Sequence, residues 1–334
     1  MLADSPGMAG PLVRKAPQLL ALLAVAVAAG GFLAVSAVRV PDSPREGRPI
    51  ELAITVDDLT RPAFEPAQQP AGIVIDRLIA AFSRHHLPPV TGFLNGNTIE
   101  RHPVDEPAVE RWLAAGHRLG SHTYSHLDLA RVDVAAYLAD IERNESWLAK
   151  LAGAPVPGRD WRVFRYPFLQ EGATQSAREA VRARLFARGY RIAEVTVDFE
   201  DWQWAPSYAR CRGEGSEREV GALRRLYLAA ARKELLAADA LARQLFGRPI
   251  RQILLLHAGA FTAEMMDDLL REYDALGVRF VSLDDALEDP AYRVDPRVAS
   301  SWGNSFLSQV ELARGVARPA APWPPHAEVA ALCH

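Results

Sequence analysis

Two histidines four residues apart, His122 and His126, have the spacing that most directly suggests chemistry. In a helix they would lie one above the other, and this spacing can present two imidazole nitrogens to one zinc-like ion. The same spacing also occurs on solvated helix faces, so the pair alone is a weak indication of a metal site. A carboxylate from elsewhere in the chain would have to complete the ligand set.

Two adjacent aspartates, Asp57 and Asp58, follow the apolar, β-branched segment 50–56, which predicts a strand. Neighbouring side chains of a strand point to opposite faces, but at a strand end the backbone turns and both carboxylates can face one site. One would complete a His-His-Asp ligand set, and the other would take the proton of a metal-activated water. The alternative is a pair of solvated aspartates that cap the following loop.

The elements around these residues alternate between strand and helix. Strands are predicted at residues 50–56, 89–94, 118–121, 163–165, 191–197, 252–256 and 279–281. Helices are predicted at residues 73–85, 107–116, 134–151, 176–188, 217–246 and 263–276. This succession predicts an α/β fold with a parallel sheet and helices outside it. About seven strand–helix units over roughly 240 residues favour a distorted (β/α) barrel over an open sheet.

Polar groups stand directly after five of the predicted strands. They are Asp57-Asp58, His122, Arg165, the segment 198–202 and His257. In a parallel α/β barrel the carboxyl ends of the strands converge on one face, where active sites form. The sequence therefore predicts one site that contains all five groups.

The same positions carry a family resemblance. The motifs are Thr55-Val56-Asp57-Asp58, His122-Thr-Tyr-Ser-His126, Arg165-Tyr-Pro-Phe168, Asp198-Phe-Glu-Asp201-Trp202 and Leu255-Leu-His257. In this order they resemble the five motifs of the polysaccharide deacetylase family, the NodB-homology domain of carbohydrate esterase family 4. The resemblance extends over about residues 50 to 285 and implies the distorted barrel of that family.

The resemblance also implies a role for each matched residue. Asp58, His122 and His126 would bind one divalent metal ion, with zinc expected. Asp57 would be the catalytic base, and Arg165 would hold it in place through a charge-assisted contact.

On the other side of the implied site, His257 would be the general acid and Asp201 would tune it. Trp202 and Leu255 would line a small apolar pocket for the acetyl methyl group. The backbone N–H of Phe168 would help to stabilise the oxyanion.

Two aromatic residues of the third motif, Tyr166 and Phe168, are bulkier than the family's usual residues there. Both are assigned to substrate binding. Their size favours an alternative substrate, a small aryl or acyl ester. A second alternative is a non-catalytic carbohydrate-binding protein, because a fold does not by itself imply a function.

The N-terminal residues resemble an export signal. Arg14 and Lys15 precede the nearly uncharged, apolar run 16–38, which is long enough either for a signal peptide or for a membrane anchor. We expect export to the periplasm or cell envelope, with the membrane contacted only if this segment stays uncleaved. The net charge of −3 offers no basic field for nucleic acid.

The sequence divides into four predicted parts, and its cysteines leave one question open. The parts are the export segment 1–38, a linker 39–49, a catalytic domain 50–290 and a C-terminal extension 291–334 of unknown role. Cys211 and Cys333 are too few for a cysteine-based zinc site, and their separation does not decide whether they pair. The predicted activity is removal of N- or O-acetyl groups from an envelope or extracellular carbohydrate.

Overall fold

The computed structural model describes residues 48–64, 69–157, 160–316 and 325–333. The predicted export segment 1–38 and nearly all of the linker 39–49 lie outside these ranges, so both stay predictions. Among the described residues, no helix is both long enough and apolar enough to cross a membrane.

A seven-stranded parallel sheet forms the centre of the described chain. The strands are β1 (Glu51–Leu59), β2 (Thr91–Leu94), β3 (Arg118–Ser121), β4 (Val163–Phe164), β5 (Arg191–Ile192), β6 (Gln252–His257) and β7 (Arg279–Val281). Their order is β5-β4-β3-β2-β1-β6, and β7 pairs with the first residues of β1. Strand β1 is buried on both faces, as expected for a strand inside a parallel sheet.

The segment after β5 brings the two ends of this sheet together. Ala193 donates its N–H to the carbonyl of Phe164, on the β4 side, and Val197 donates to the carbonyl of Ile253 in β6. Val197 also forms a parallel bridge with Leu254. The predicted distorted (β/α) barrel of about seven strands is therefore confirmed. The predicted strand 191–197 is shorter in the structure, because the segment leaves β4 and changes partner to β6 halfway along.

Helices cover the outside of the sheet, and each turns an apolar face inward. They are α1 (Ala71–Arg84), α2 (Gly96–Arg101), α3 (Glu106–Ala114), α4 (Val134–Ala152), α5 (Gln175–Ala187), α6 (Ala205–Glu214), α7 (Glu217–Phe246), α8 (Ala260–Ala275), α9 (Leu283–Leu287), α10 (Phe306–Arg314) and α11 (His326–Ala330). Short 3₁₀ turns lie at Pro103–Asp105, Pro167–Leu169, Asp201–Trp204 and Pro290–Arg293. In α1, for example, Val74, Leu78 and Phe82 recur at helical spacing and are buried.

The C-terminal extension is folded onto the barrel. Phe306, at the start of α10, is fully buried, and its N–H donates to the carbonyl of Val195 at 2.7 Å. Near the other end of the extension, Cys333 forms a disulfide with Cys211 of α6. The pairing that the sequence left undecided is thus present in the structure.

The disulfide predicts a measurable contribution to stability. Because it joins residues 122 positions apart, the Cys333→Ser variant should lose about 2–4 kcal/mol of unfolding free energy under non-reducing conditions. Urea denaturation with and without dithiothreitol measures this loss. Cys211→Ser and the double variant are matched controls and should lose the same amount, since each removes the same cross-link. Two titratable thiols in the wild-type protein would contradict the pairing.

Candidate active site

The carboxyl ends of three strands carry the central residues of the site. Asp57 and Asp58 lie near the end of β1, His122 follows β3 directly, and His257 ends β6. Asp57 and His257 are register partners in the parallel pairing of β1 with β6. The convergence predicted from the sequence is therefore present in the structure.

These strand ends open into a cavity of about 750 Å³. This volume lies within the range of ligand-binding clefts, roughly 300–1,000 Å³. The side chains that line it include Asp57, Asp58, Phe64, His122, His126, Phe168, Asp198, Glu200, Trp202, Glu234, Leu255, His257, Trp302, Asn304, Ser305 and Ser308. Among the described residues that line the cavity there are several carboxylates and no lysine or arginine.

The three predicted metal ligands lie next to one another. Oδ1 of Asp58 is 3.4 Å from Nε2 of His126 and 3.6 Å from Nε2 of His122. Nδ1 of His122 lies 2.8 Å from the carbonyl oxygen of Arg165, which can only accept a hydrogen bond. The proton of a neutral His122 is therefore on Nδ1, and the lone pair of Nε2 is directed toward Asp58 and His126.

This cluster fits a divalent metal ion. One ligand atom from each of its three residues lies within 4.8 Å of the others. Oδ1 of Asp58 is buried and accepts no hydrogen bond, which is costly for a carboxylate oxygen unless a cation satisfies it. Burial holds the pKa of His122 well below its ordinary value, so this imidazole is neutral and able to ligate. Two imidazole nitrogens and one carboxylate oxygen are a donor set that suits zinc.

The backbone that presents the two histidines is a loop and not a helix. Thr123 and His126 both have left-handed φ angles, 60° and 58°. The side-chain amide of Asn95 donates to the carbonyls of His122 and Thr123, and the carboxylate of Asp140 in α4 accepts from the N–H of Ser125. These side-chain contacts replace helical hydrogen bonds, which explains how the four-residue spacing brings the rings together without a helix.

A left-handed turn also explains how both adjacent aspartates reach the site. Asp58 has φ of 61°, a conformation that aspartate adopts more readily than most residues. It interrupts the alternation of side chains that an extended strand would impose. The turn assumed for the end of this strand is thus present at Asp58 itself.

Arg165 lies behind the cavity and holds Asp57. The guanidinium is 1% exposed and donates to Oδ1 of Asp57 at 2.9 Å, to the carbonyl of Ala193 at 2.8 Å and to the hydroxyl of Thr55 at 3.1 Å. It also lies over the ring of Phe93, 4.4 Å from the ring centroid. Burial raises the pKa of the Asp57 carboxyl, and the charge of Arg165 opposes that rise.

His257 is held by Asp201. Its Nδ1 lies 2.7 Å from one carboxylate oxygen of Asp201, and the other oxygen accepts from the backbone N–H of His257 and from the hydroxyl of Thr262. Burial alone would lower the pKa of His257, but the charge of Asp201 and this hydrogen bond outweigh it and raise the pKa to about 9. The imidazolium form is therefore favoured at neutral pH.

Three of the four residues predicted to contact substrate line the cavity. Leu255 and Trp202 form part of its wall, and Phe168 is 58% exposed with its ring centroid 4.4 Å from that of His126. Tyr166 is not among the residues that line the cavity, so the structure gives no support to its predicted substrate contact. Its ring is 3% exposed and packs against Tyr137 and Phe164, because it points to the side of the chain opposite to Arg165.

The wall that the C-terminal extension contributes to the cavity was not predicted from the sequence. The side chains of this extension that line the cavity are Trp302, Asn304, Ser305 and Ser308. They could not be predicted because the segment has no strand periodicity that would place it at the site. Phe64, whose ring packs edge-on against His257, was not predicted either. Asp198 was noted only as a strand-end residue, and burial raises its pKa to about 6.

Comparison with known proteins bears on the family resemblance. Residues 45–193 match the family model described as polysaccharide deacetylase, which confirms the resemblance predicted from the five motifs. The matched segment contains the aspartate pair, both predicted histidine ligands and Arg165. Asp201 and His257 lie beyond its end, and their assignment rests on the motifs and on the geometry above.

Two curated relatives and one solved structure are similar to this chain. A peptidoglycan-N-acetylglucosamine deacetylase from Bacillus cereus is 31% identical over 156 residues, 46% of this chain and 46% of the relative. A chitin deacetylase from Pestalotiopsis sp. is 30% identical over 113 residues, 34% of each chain. The chain thus spans less than half the length of either curated relative. The structure of the chitin deacetylase from Colletotrichum lindemuthianum is 22% identical, with a TM-score of 0.47 over 72% of this chain and 89% of that one.

The buried ion pair leads to a stability prediction. In metal-free protein, Arg165→Met should reduce the unfolding free energy by about 3–5 kcal/mol, because Asp57 is left buried without its partner. The loss should be larger at pH 8 than at pH 5. Without Arg165 the folded-state pKa of Asp57 rises further above its unfolded value, and stability that depends on the bound proton disappears as the pH rises.

Urea denaturation at both pH values in the presence of a chelator measures this effect. The same Arg165→Met change in an Asp57→Asn background is the control, and it should cost much less because no carboxylate is left unpaired. Equal losses in the two backgrounds would show that the guanidinium acts through its other contacts.

Proposed function

We propose that this protein is a metal-dependent deacetylase that hydrolyses N- or O-acetyl groups of a carbohydrate. The observation that carries the proposal is one cavity in which a His-His-Asp cluster adjoins a carboxylate held by arginine and an imidazole held by aspartate. The names of the two curated relatives support an acetylated glycan as the substrate class. Water attack on an acyl carbonyl needs each of these groups.

Asp58, His122 and His126 would hold the metal ion, and zinc suits their donor atoms. When bound, the ion would polarise the acyl carbonyl and lower the pKa of water toward about 7. The hydrogen bond from His122 to the carbonyl of Arg165 would keep the ligating nitrogen aimed at the site.

Asp57 would accept the proton of the attacking water. Arg165 holds one of its oxygens, and the other lies 3.7 Å from Nε2 of His122, beside the ligand cluster. The burial that raises the pKa of Asp57 makes this carboxylate a stronger base than an exposed aspartate. Its position would be fixed before substrate binds, because each nitrogen of the buried guanidinium that holds it donates a hydrogen bond within the protein.

His257 would donate a proton to the departing amine or alkoxide. An alkylamine is a poor leaving group and needs protonation as the C–N bond breaks. In the imidazolium form, the contact with Asp201 would hold one proton on Nδ1, and the second proton, on Nε2, would be the one transferred to the leaving group. Leu255 and Trp202 would enclose the acetyl methyl group, and the N–H of Phe168 would donate to the developing oxyanion.

Export belongs to the same proposal. The segment 1–38 would be a signal peptide or an anchor and would direct the protein to the periplasm or cell envelope. The disulfide between Cys211 and Cys333 supports this location, because such bonds persist mainly in oxidising compartments.

A specific observation favours one alternative, an esterase acting on small aryl esters. The exposed ring of Phe168 and the indole of Trp202 supply apolar surface at the cavity, against which an aryl group could pack. The same catalytic groups would serve such a substrate, but the leaving phenolate would need little help from His257.

The two aspartates should respond differently to substitution. Asp58→Ala should lose bound metal and activity together, because it removes a ligand. Asp57→Asn should retain metal while turnover falls about 10²–10⁴-fold, because the amide cannot accept the water proton. Metal content by mass spectrometry and acetate release from an acetylated oligosaccharide measure both effects.

The control for this pair is Asp76→Ala, an exposed aspartate on α1 outside the cavity. It should change neither metal content nor turnover. A metal-free Asp57→Asn protein alongside a metal-loaded Asp58→Ala protein would show that the two roles are reversed.

The general-acid role predicts a substrate-dependent effect. His257→Ala should reduce hydrolysis of an N-acetyl sugar by about 10²-fold or more, while an aryl acetate loses less than about tenfold. The ratio of kcat/KM for the two substrates measures this difference. His102→Ala, an exposed histidine outside the cavity, is the control. Equal losses on both substrates would reject the acid role, and wild-type activity on the aryl ester alone would favour the esterase.

A further inference from the structure

One wall of the cavity comes from a segment that the family match does not include. Residues 302–305 lie in the C-terminal extension, far beyond the matched residues 45–193. None of the five motifs falls in this segment. The family resemblance therefore gives no role to this segment, although it forms part of the cavity wall.

The segment is fixed against the loop that carries the third motif. The N–H of Ser300 donates to the carbonyl of Gly172 at 3.0 Å, and its carbonyl accepts from the side-chain amide of Gln170 at 2.7 Å. The N–H of Asn304 donates to the carbonyl of Leu169 at 3.2 Å. These bonds, together with the buried anchor Phe306, hold the wall in position without a ligand.

Gly303 shows how close the two segments are. A β-carbon at this position would collide with the carbonyl oxygen of Phe168, so only glycine allows the approach. The ring of Phe168 in turn contacts His126, one of the proposed metal ligands. A continuous wall therefore runs outward from the ligand cluster through Phe168 to the extension.

Trp302 is the outermost residue of this wall. Its side chain lines the cavity and is 81% exposed. Such exposure is unusual for a tryptophan, because a large apolar surface is left in contact with water. Its backbone is held on both sides, by Ser300 Oγ on its N–H and by the side-chain amide of Asn304 on its carbonyl. The indole is thus an exposed aromatic face on a supported loop.

The groups beside the indole suit a sugar. A pyranose ring has an apolar face of C–H groups and a rim of hydroxyls, so it can stack on an indole while its hydroxyls meet polar side chains. Asn304, Ser305 and Ser308 supply amide and hydroxyl groups on the same wall. The cavity lining carries Glu200 and Glu234 and, among the described residues, no lysine or arginine, which disfavours anionic sugars at this wall.

We propose that the C-terminal extension forms a glycan subsite in which Trp302 stacks against an uncharged sugar next to the acetylated one. The substrate is then an oligosaccharide or polysaccharide rather than a single sugar or an aryl ester. This inference rests on the proposed deacetylase function, because it places the acetylated sugar at the ligand cluster. The cavity volume of about 750 Å³ leaves room for more than one sugar unit.

The test compares substrates of increasing length. Probes are N-acetylglucosamine, its β-1,4-linked oligomers of two to six units and an aryl acetate. Wild-type kcat/KM should rise with length. Trp302→Ala should lower kcat/KM for the longer oligomers about 10- to 100-fold and change it less than about twofold for the monomer and the aryl acetate. Trp302→Phe should recover most of the loss, because it keeps an aromatic face.

Binding supplies a readout that does not depend on turnover. Calorimetric titration of chelator-treated protein with the longest oligomer should show the same ranking of wild type, Trp302→Phe and Trp302→Ala. Phe186→Ala, a half-exposed aromatic residue on α5 outside the cavity, is the matched control and should bind like wild type. Circular dichroism of each variant verifies the fold.

The outcomes separate the subsite from the catalytic proposal. Equal losses on monomer and oligomers, no loss in Trp302→Ala, or no oligomer binding to wild type would each overturn the subsite. Oligomer binding that depends on Trp302 without acetate release from any probe would support the subsite and reject the deacetylase. Tighter binding of an oligomer that carries carboxylates would contradict the preference for an uncharged sugar.

Discussion

The buried guanidinium of Arg165 connects the parts of the protein on which the site depends. Its donors reach Asp57 and Thr55 in β1 and the carbonyl of Ala193, where the chain leaves β4 to meet β6. The hydroxyl of Thr55 in turn donates a hydrogen bond to the carbonyl of Leu254 in β6. Burying a cation costs free energy unless its N–H groups are hydrogen-bonded. Here the hydrogen bonds of Arg165 connect the proposed base, Asp57, to the segment at Ala193 that closes the barrel.

The main chain of the same residue orients one of the proposed metal ligands. The carbonyl of Arg165 accepts from Nδ1 of His122, while its guanidinium donates to Asp57. One residue therefore fixes both the proposed base and one proposed ligand.

Much of this arrangement was predictable, because a parallel sheet places its strand ends on one face. The positions of Asp57, His122 and His257 after their strands were enough to predict one shared site. The details that the sequence did not predict depend on loop conformation and on distant packing. The left-handed residues Thr123 and His126, which present the two histidines without a helix, leave no periodic signal in the sequence.

Two other features could not be predicted, for physical reasons. The direction of Tyr166 is set by its contact with Tyr137 of α4, which is distant in sequence. The wall carried by Trp302 depends on hydrogen bonds between residues 300–304 and the loop 169–172, and these follow from tertiary packing rather than from local preference. Both features depend on partners that no periodic pattern specifies.

The acidic lining of the cavity has a consequence for the order of events on a polymer. Hydrolysis of an acetamide turns a neutral group into an ammonium ion, which carboxylates such as Asp198, Glu200 and Glu234 attract. Under the proposed function, the product would then interact more favourably with the cavity than the substrate did. Departure of the newly formed amine would be slower, and a partly deacetylated chain would be retained long enough for a neighbouring unit to enter. The carboxylates of the cavity would thereby favour clustered rather than scattered removal of acetyl groups along a glycan.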